Sequence, residues 1–256
     1  MSVAALTLRF FQRELRNRFS GSFSGGLWAL FQPLIQLAVY AFVFVHVFKA
    51  RVPGADAPGY VPFLVTALWP WTAFSEALVR STTAIQDNAA LIGKVALPRE
   101  ILVVASVASS FAVHLTGFIV ILIVLIVAGK DIVVAGLAPA ILLYVPLFAL
   151  TLGLALLFSA VQVFVRDLAQ ALGQLLTLLM FAAPIFYDRM QLPENIRGWL
   201  DLNPFTFYAE TFRALLLHHG TFDGMRFAIA LAIALIVLVI GHRVFRRLDS
   251  HFEDFL

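Results

Sequence analysis

Six apolar runs constrain this chain more than any other feature. They fall at about 27–48, 60–79, 101–128, 132–165, 168–187 and 227–244, and each reaches the roughly 20 residues of helix that cross a hydrocarbon core about 30 Å thick. Lipid offers the backbone no hydrogen-bond partners, so segments of this kind fold as helices. The expected fold is an all-α membrane protein with six transmembrane helices. The fourth run is long enough to begin as an interfacial segment before Pro139. Composition agrees: the chain is 61% apolar and 13% charged, whereas soluble domains run at roughly 45–50% and about 25%. There is no cysteine, which excludes a disulfide scaffold, a thiolate nucleophile and thiolate metal sites.

Six crossings place both termini on one side. Of the 18 Lys and Arg, eleven fall in segments on the N-terminal side, led by Arg9, Arg13, Arg16 and Arg18, and seven in the opposite segments. The positive-inside rule therefore puts both termini in the cytoplasm. The net charge of +3 is scattered between apolar runs rather than massed on one face, so no nucleic-acid partner is expected. A cleavable signal peptide is not expected either, because the first run starts after Arg18, is a full span long and has no small-residue cleavage site behind it. No repeat or linker divides the chain, which reads as one domain over 1–256.

Three segments outside the spans have structure of their own. On a helical wheel over 4–20, Leu8, Phe11, Leu15 and Phe19 fall within about 80° and Arg9, Arg13 and Arg16 sit beside them. This predicts an amphipathic interface helix, imperfect because Leu6 and Phe10 lie nearer the basic side. The cytoplasmic loop over 81–99 predicts a short helix through 82–92 that stops at Gly93, with Pro98 as the first helical residue of the third span. In the outer segment 188–226, Leu192-Pro193-Glu194 opens one short helix through Leu200 and Asn203-Pro204 opens another through His218. The second is too apolar for a solvated loop, so it is expected to dip into the outer leaflet or lid a cavity. Glu210 and Arg213 are spaced to pair on it.

The chemistry is mostly exclusion. The one Gly-Lys pair, Gly129-Lys130, precedes Asp131 and lacks the earlier glycine of a phosphate loop, so no ATP hydrolysis is expected. Six histidines show no two-helix metal spacing. His218 and Asp223 match an H-x4-D acyltransferase pattern, a remote alternative in which the histidine is a general base. Few ionisable groups lie deep in spans: His114 is one, expected to bond between helices, and Glu76 and Arg80 stand one turn apart where they could pair. Pro33, Pro70, Pro139, Pro146 and Pro184 are candidate kinks. Aromatic residues are plentiful, with 25 Phe, and aromatic faces can stack on sugar rings.

These stretches resemble a known family. Arg13 to Phe19 followed by Gly26 to Leu34, Trp69-Pro70-Trp71 through Leu78, Asn88 to Lys94 with Leu97-Pro98-Arg99-Glu100, Phe164 to Leu168, Ala183 to Tyr187, Leu192-Pro193 and Leu202-Asn203-Pro204 are similar to the permease subunits of ABC-2 type exporters, in the branch that exports O-antigen polysaccharide. Capsule and teichoic-acid permeases are relatives, and a small-amphiphile exporter on the same scaffold is an alternative. The resemblance implies a homodimer in the bacterial inner membrane on two copies of a separate ABC ATPase, exporting a polyprenyl-pyrophosphate-linked glycan. ATP and Mg would bind the ATPase and no cofactor this chain. By the same resemblance Asp87, Asn88, Leu91, Ile92, Lys94 and Arg99 form the ATPase-coupling loop, supported by Arg13 and Arg16. Trp28, Tyr40, Phe44, Phe181, Phe186 and Tyr187 are channel-lining candidates, and Pro193, Trp199, Asn203, Pro204 and Phe205 belong to two outer gate helices between spans five and six.

Overall fold

A computed structural model of the chain describes residues 3–19, 25–47, 59–94 and 97–255, and of residues 19, 25–30, 32, 33 and 45 the backbone alone. Every described element is helical: α1 Val3–Phe19, α2 Gly25–Phe42 running into a π-helical turn Val43–Val47, α3 Tyr60–Thr82, α4 Ala89–Ile92, α5 Glu100–Val127, α6 Leu137–Phe164, α7 Leu168–Ala182, α8 Glu194–Leu200, α9 Pro204–Leu217 and α10 Gly224–Leu248, the last continuing as a 3₁₀ segment, Asp249–Asp254.

Among the described residues three helical stretches combine the length and apolar composition to cross a membrane: Glu100–Val127, Val134–Phe164 and Gly224–Asp254. Two of the other runs differ for physical reasons. α3 has 23 residues, about 34 Å at 1.5 Å per residue, but Thr72, Ser75, Glu76 and Arg80 make one side polar. It packs against α2, α5, α6, α7 and α9, and 17 of its residues are buried, so protein rather than lipid surrounds it. α7 stops after 15 residues, about 22 Å, although the apolar run continues to 187. Pro184 forces the stop: the residue before a proline is driven out of the α region, and Ala183 is extended at φ −88°, ψ 151°. By contrast α3 and α6 continue through Pro70 and Pro146, and Pro139 sits in the first turn of α6, where its missing donor costs nothing. The Pro33 side chain lies outside the described residues.

α10 presents mostly exposed apolar residues and is held through α6. The two helices touch backbone to backbone: a Cβ on Gly241 would stand 2.0 Å from the Gly153 carbonyl oxygen. Small residues permit this approach, which replaces the hydrophobic drive that lipid removes. Phe252 of the C-terminal 3₁₀ segment is fully buried, edge-on to Phe245 at 5.4 Å. The segment thus folds back against the start of α5 and the last turns of α6 and α10.

The interface helix is also not simply a surface helix. α1 packs along α5, and the expected stripe is not its whole buried face: Phe11 and Leu15 are half-buried and Leu8 is 55% exposed. Phe10 packs against the core, with the Arg13 guanidinium 4.6 Å over its ring.

Candidate functional site

Between α2, α3, α5 and α7 lies a cavity of about 380 Å³, inside the roughly 300–1,000 Å³ range of ligand sites. Its polar lining is supplied by Gln36 and Tyr40 of α2, Thr72, Ser75 and Glu76 of α3, His114 of α5 and Thr177 of α7, with Trp71, Leu176 and Met180 between them. Gln36 donates from Nε2 to the Tyr40 hydroxyl at 3.2 Å. Polar side chains from four helices meeting in such an apolar body need a functional account, since polar groups at membrane depth are costly, although the Thr72, Ser75 and Thr177 hydroxyls each donate to a carbonyl of their own helix.

Glu76 anchors the chamber. One carboxylate oxygen accepts from the Arg18 guanidinium at the end of α1, and the other lies 2.6 Å from His114 Nε2. Arg18 also reaches Ser110 Oγ at 3.5 Å. The expected pairing of Glu76 with Arg80 does not form; Arg80 binds Glu14 of α1 at 2.9 Å. Helical spacing allowed the first pair, but α1 lies close enough to offer each charge a partner of its own. His114 bonds between helices as expected.

The aromatic candidates Tyr40, Phe44 and Phe181 gather around Phe186, beyond the end of α7, rather than along this chamber. Phe186 is 3% exposed and sits among Tyr40 (5.0 Å, edge-on), Phe44 (5.1 Å, stacked) and Phe181 (5.2 Å, stacked). The Tyr187 hydroxyl donates to the Phe181 carbonyl at 3.2 Å. Of the five channel-lining candidates whose side chains are described, Tyr40 alone lines the cavity; the Trp28 side chain lies outside the described residues. Gln36, Thr72, Ser75 and Thr177 were missed because single hydroxyls and amides in an apolar run carry no local pattern.

Beyond Ala182 the broken chain leaves carbonyls that no helix satisfies, and other elements fill them. Arg213 of α9 donates through its guanidinium to the carbonyls of Phe63 (3.2 Å), Pro184 and Ile185 (2.5 Å), and stands 3.5 Å over the Phe63 ring. The Tyr60 hydroxyl donates to Phe186 O at 2.9 Å. Asn203 does two jobs: its side-chain oxygen caps α9 by accepting from Phe205 N at 3.0 Å, and its Nδ2 donates to Leu179 O at 2.9 Å. The expected Glu210–Arg213 pair is absent because Arg213 turns inward. Glu210 instead lies 3.5 Å from Arg189, which binds Asp201 at 2.7 Å. That Asp201 hydrogen bond is the largest influence raising the Arg189 pKa above its ordinary value. The short outer helices occur where expected. Pro193 precedes α8, Pro204 opens α9, Phe205 is buried edge-on to Trp71 at 4.9 Å, and Trp199 is 71% exposed.

Between α3 and α5 the helix expected over 82–92 is interrupted by a turn and a 3₁₀ segment, Gln86–Asn88, before α4 ends at Gly93. α5 starts at Glu100, two residues after Pro98. Asn88 accepts from Arg13 and donates to Ala84 O at 2.9 Å, and Asp87 accepts from Thr83 at 2.8 Å. Asp87, Lys94 and Arg16 are exposed, Leu91 is half-buried and Ile92 is buried in the core. Arg99 turns to the C-terminal segment, pairing with Asp249 at 3.0 Å and with Glu253. Asp223 spends its carboxylate capping α10, accepting from Met225 N and Arg226 N, and no His218–Asp223 hydrogen bond forms among the described residues. No cluster of metal-binding side chains occurs among them either.

Comparison with known proteins follows the same lines. The sequence profile of the ABC-2 type transporter family matches residues 6–217. The chain is 30% identical to an O-antigen export system permease protein of Myxococcus xanthus, over 98% of this chain and 94% of the relative. A protein of the same description from Klebsiella pneumoniae is 26% identical, over 95% and 92%. A polysialic acid transport protein of Escherichia coli is 24% identical, over 92% and 90%.

Proposed function

The chain belongs to the ABC-2 type transporter family, and on that premise we propose that it is the permease subunit of an ATP-driven exporter of an O-antigen-type polysaccharide carried on polyprenyl pyrophosphate. It works as a homodimer on two ATPase subunits in the bacterial inner membrane. All six apolar runs cross or line the bilayer, and both termini are cytoplasmic. The chain itself performs no covalent chemistry and holds no cofactor; ATP and Mg belong to the partner. The observation that supports this reading is the chamber between α2, α3, α5 and α7, where polar side chains from four helices meet inside an apolar body.

Force reaches that chamber through side chains already connected. The exposed Asp87 and Lys94 with Leu91 offer the ATPase a docking edge, and Asn88 hands displacement of the loop to α1 through Arg13. α1 is in turn tied to α3 through Glu14–Arg80 and Arg18–Glu76. Closure of the ATPase pair then tilts α2 and α7 apart across the dimer, the glycan enters the chamber and its lipid follows sideways through the bilayer. At the outer end α8 and α9 act as the gate.

Gly173→Trp tests this reading. A Cβ at Gly173 meets nothing within 4 Å and the residue lines the chamber, so the indole fills space without displacing backbone. In a strain lacking the native chain, the variant is expected to co-purify with the ATPase while surface glycan is lost and lipid-linked glycan accumulates inside. Normal surface glycan with this variant would overturn the assignment of the chamber as the path.

A further inference from the structure

Resting on the reading of the chamber as the glycan path, we infer that the glycan it accepts is electrically neutral along its repeat. The inference comes from which charges reach the chamber and which do not. The polar residues that line it beside Glu76 and His114, namely Gln36, Tyr40, Thr72, Ser75 and Thr177, are uncharged, their Thr and Ser hydroxyls donating to their own helices and keeping acceptor lone pairs, and among the described residues no Lys or Arg lines it. Its one formal charge in view is the Glu76 carboxylate, whose side chain is 34% exposed.

The nearby cation is turned away. Arg18 is 9% exposed, binds one Glu76 oxygen and Ser110, and approaches from the α1 side, while His114 is 3% exposed and holds the other oxygen. An ionised carboxylate accepts at about four lone-pair sites, so Glu76 keeps acceptor capacity on its open side after binding these two. Sugar hydroxyls, which donate and accept, suit a wall of hydroxyls, an amide and one fixed acceptor, and Trp71 adds an aromatic surface. A glycan with a carboxylate on every residue meets the reverse: among the described residues no cation lines the chamber to pair with it, and the charged group it meets there is itself an acceptor.

The test uses the full chain in lipid nanodiscs, titrated with mannohexaose or with an α2,8-linked sialic acid hexamer of equal length and followed by saturation-transfer NMR. Mannohexaose is expected to bind saturably and to lose binding in Gly173→Trp, while the sialic acid hexamer binds at least tenfold more weakly. Thr177→Lys, which places a cation at an exposed position on α7, is expected to tighten the hexamer at least tenfold. Hexamer binding to the unaltered chain as tight as that of mannohexaose, and sensitive to Gly173→Trp, overturns neutrality while leaving the path intact. Failure of both sugars to bind in a Gly173→Trp-sensitive way overturns the path and the neutrality inference together.

Discussion

Replacing Arg213 by Met keeps side-chain volume but removes the guanidinium that binds two carbonyls beyond the end of α7, those of Pro184 and Ile185, and the Phe63 carbonyl of α3. Hydrogen bonds to a charged group contribute about 1.5–3 kcal/mol each, so three at the low end amount to about 5 kcal/mol. Against this stands the desolvation of a cation that is 5% exposed and has no carboxylate bonded to it, a cost of several kcal/mol. The net expected loss is about 2–3 kcal/mol, which at roughly 2–4 °C per kcal/mol for a domain of this size predicts a Tm lowered by about 5–10 °C. The assay is thermal melting of the detergent-purified chain followed by size-exclusion recovery. Arg213→Lys is expected to do no better than Met, since a single ammonium cannot span three carbonyls yet still bears the desolvation cost. A Met variant that melts within about 2 °C of the unaltered chain, or above it, would refute the idea that this cation holds α9 to the broken chain.

Three further outcomes are expected. Gly241→Leu drives a Cβ to 2.0 Å from the Gly153 carbonyl and should cost at least the upper end of the about 1–3 kcal/mol typical of overpacking; Gly224→Ala, which meets nothing within 4 Å, should melt unchanged, and equal melting of the two would argue against backbone contact between α6 and α10. Arg99→Ala removes partly exposed ion pairs worth about 1 kcal/mol together, so amide exchange in 249–254 should quicken roughly fivefold, and unchanged exchange would leave Phe252 alone as the anchor. Because the chain has no cysteine, single Gly198→Cys and Thr221→Cys variants should label from outside intact cells and Lys94→Cys should not; the opposite pattern would invert the topology.

The long helices are legible in the sequence because length and hydropathy are local and additive, and α5, α6 and α10 appear within a few residues of the expected positions. α7 shows the limit. A hydropathy window passes over Pro184 without registering that the backbone before it must leave the helix, although the proline itself was the signal. The short outer helices were legible from Asn203-Pro204 and Pro193, where capping chemistry is written in adjacent residues. Partnerships over distance were not: Glu76 reads as the mate of Arg80 by helical spacing, yet finds Arg18 and His114, respectively 58 and 38 residues away. Arg99 likewise reads as part of a docking loop until the C-terminal segment is seen beside it. The chamber was invisible for the same reason, since its hydroxyls come from separate helices and converge only in the folded bundle.

The aromatic stack around Phe186 matters to an idle protein as much as to a working one. A wet cavity that opened freely to both sides would drain the ion gradients of the membrane around it. On the proposed path the rings of Phe44, Phe186 and Phe181, with Tyr40 beside them, are turned on one another and offer water no partner, and an apolar closure of that kind would block ions without any charged barrier. The stack would thus serve that path as a seal at rest, one that has to part before a polymer can pass.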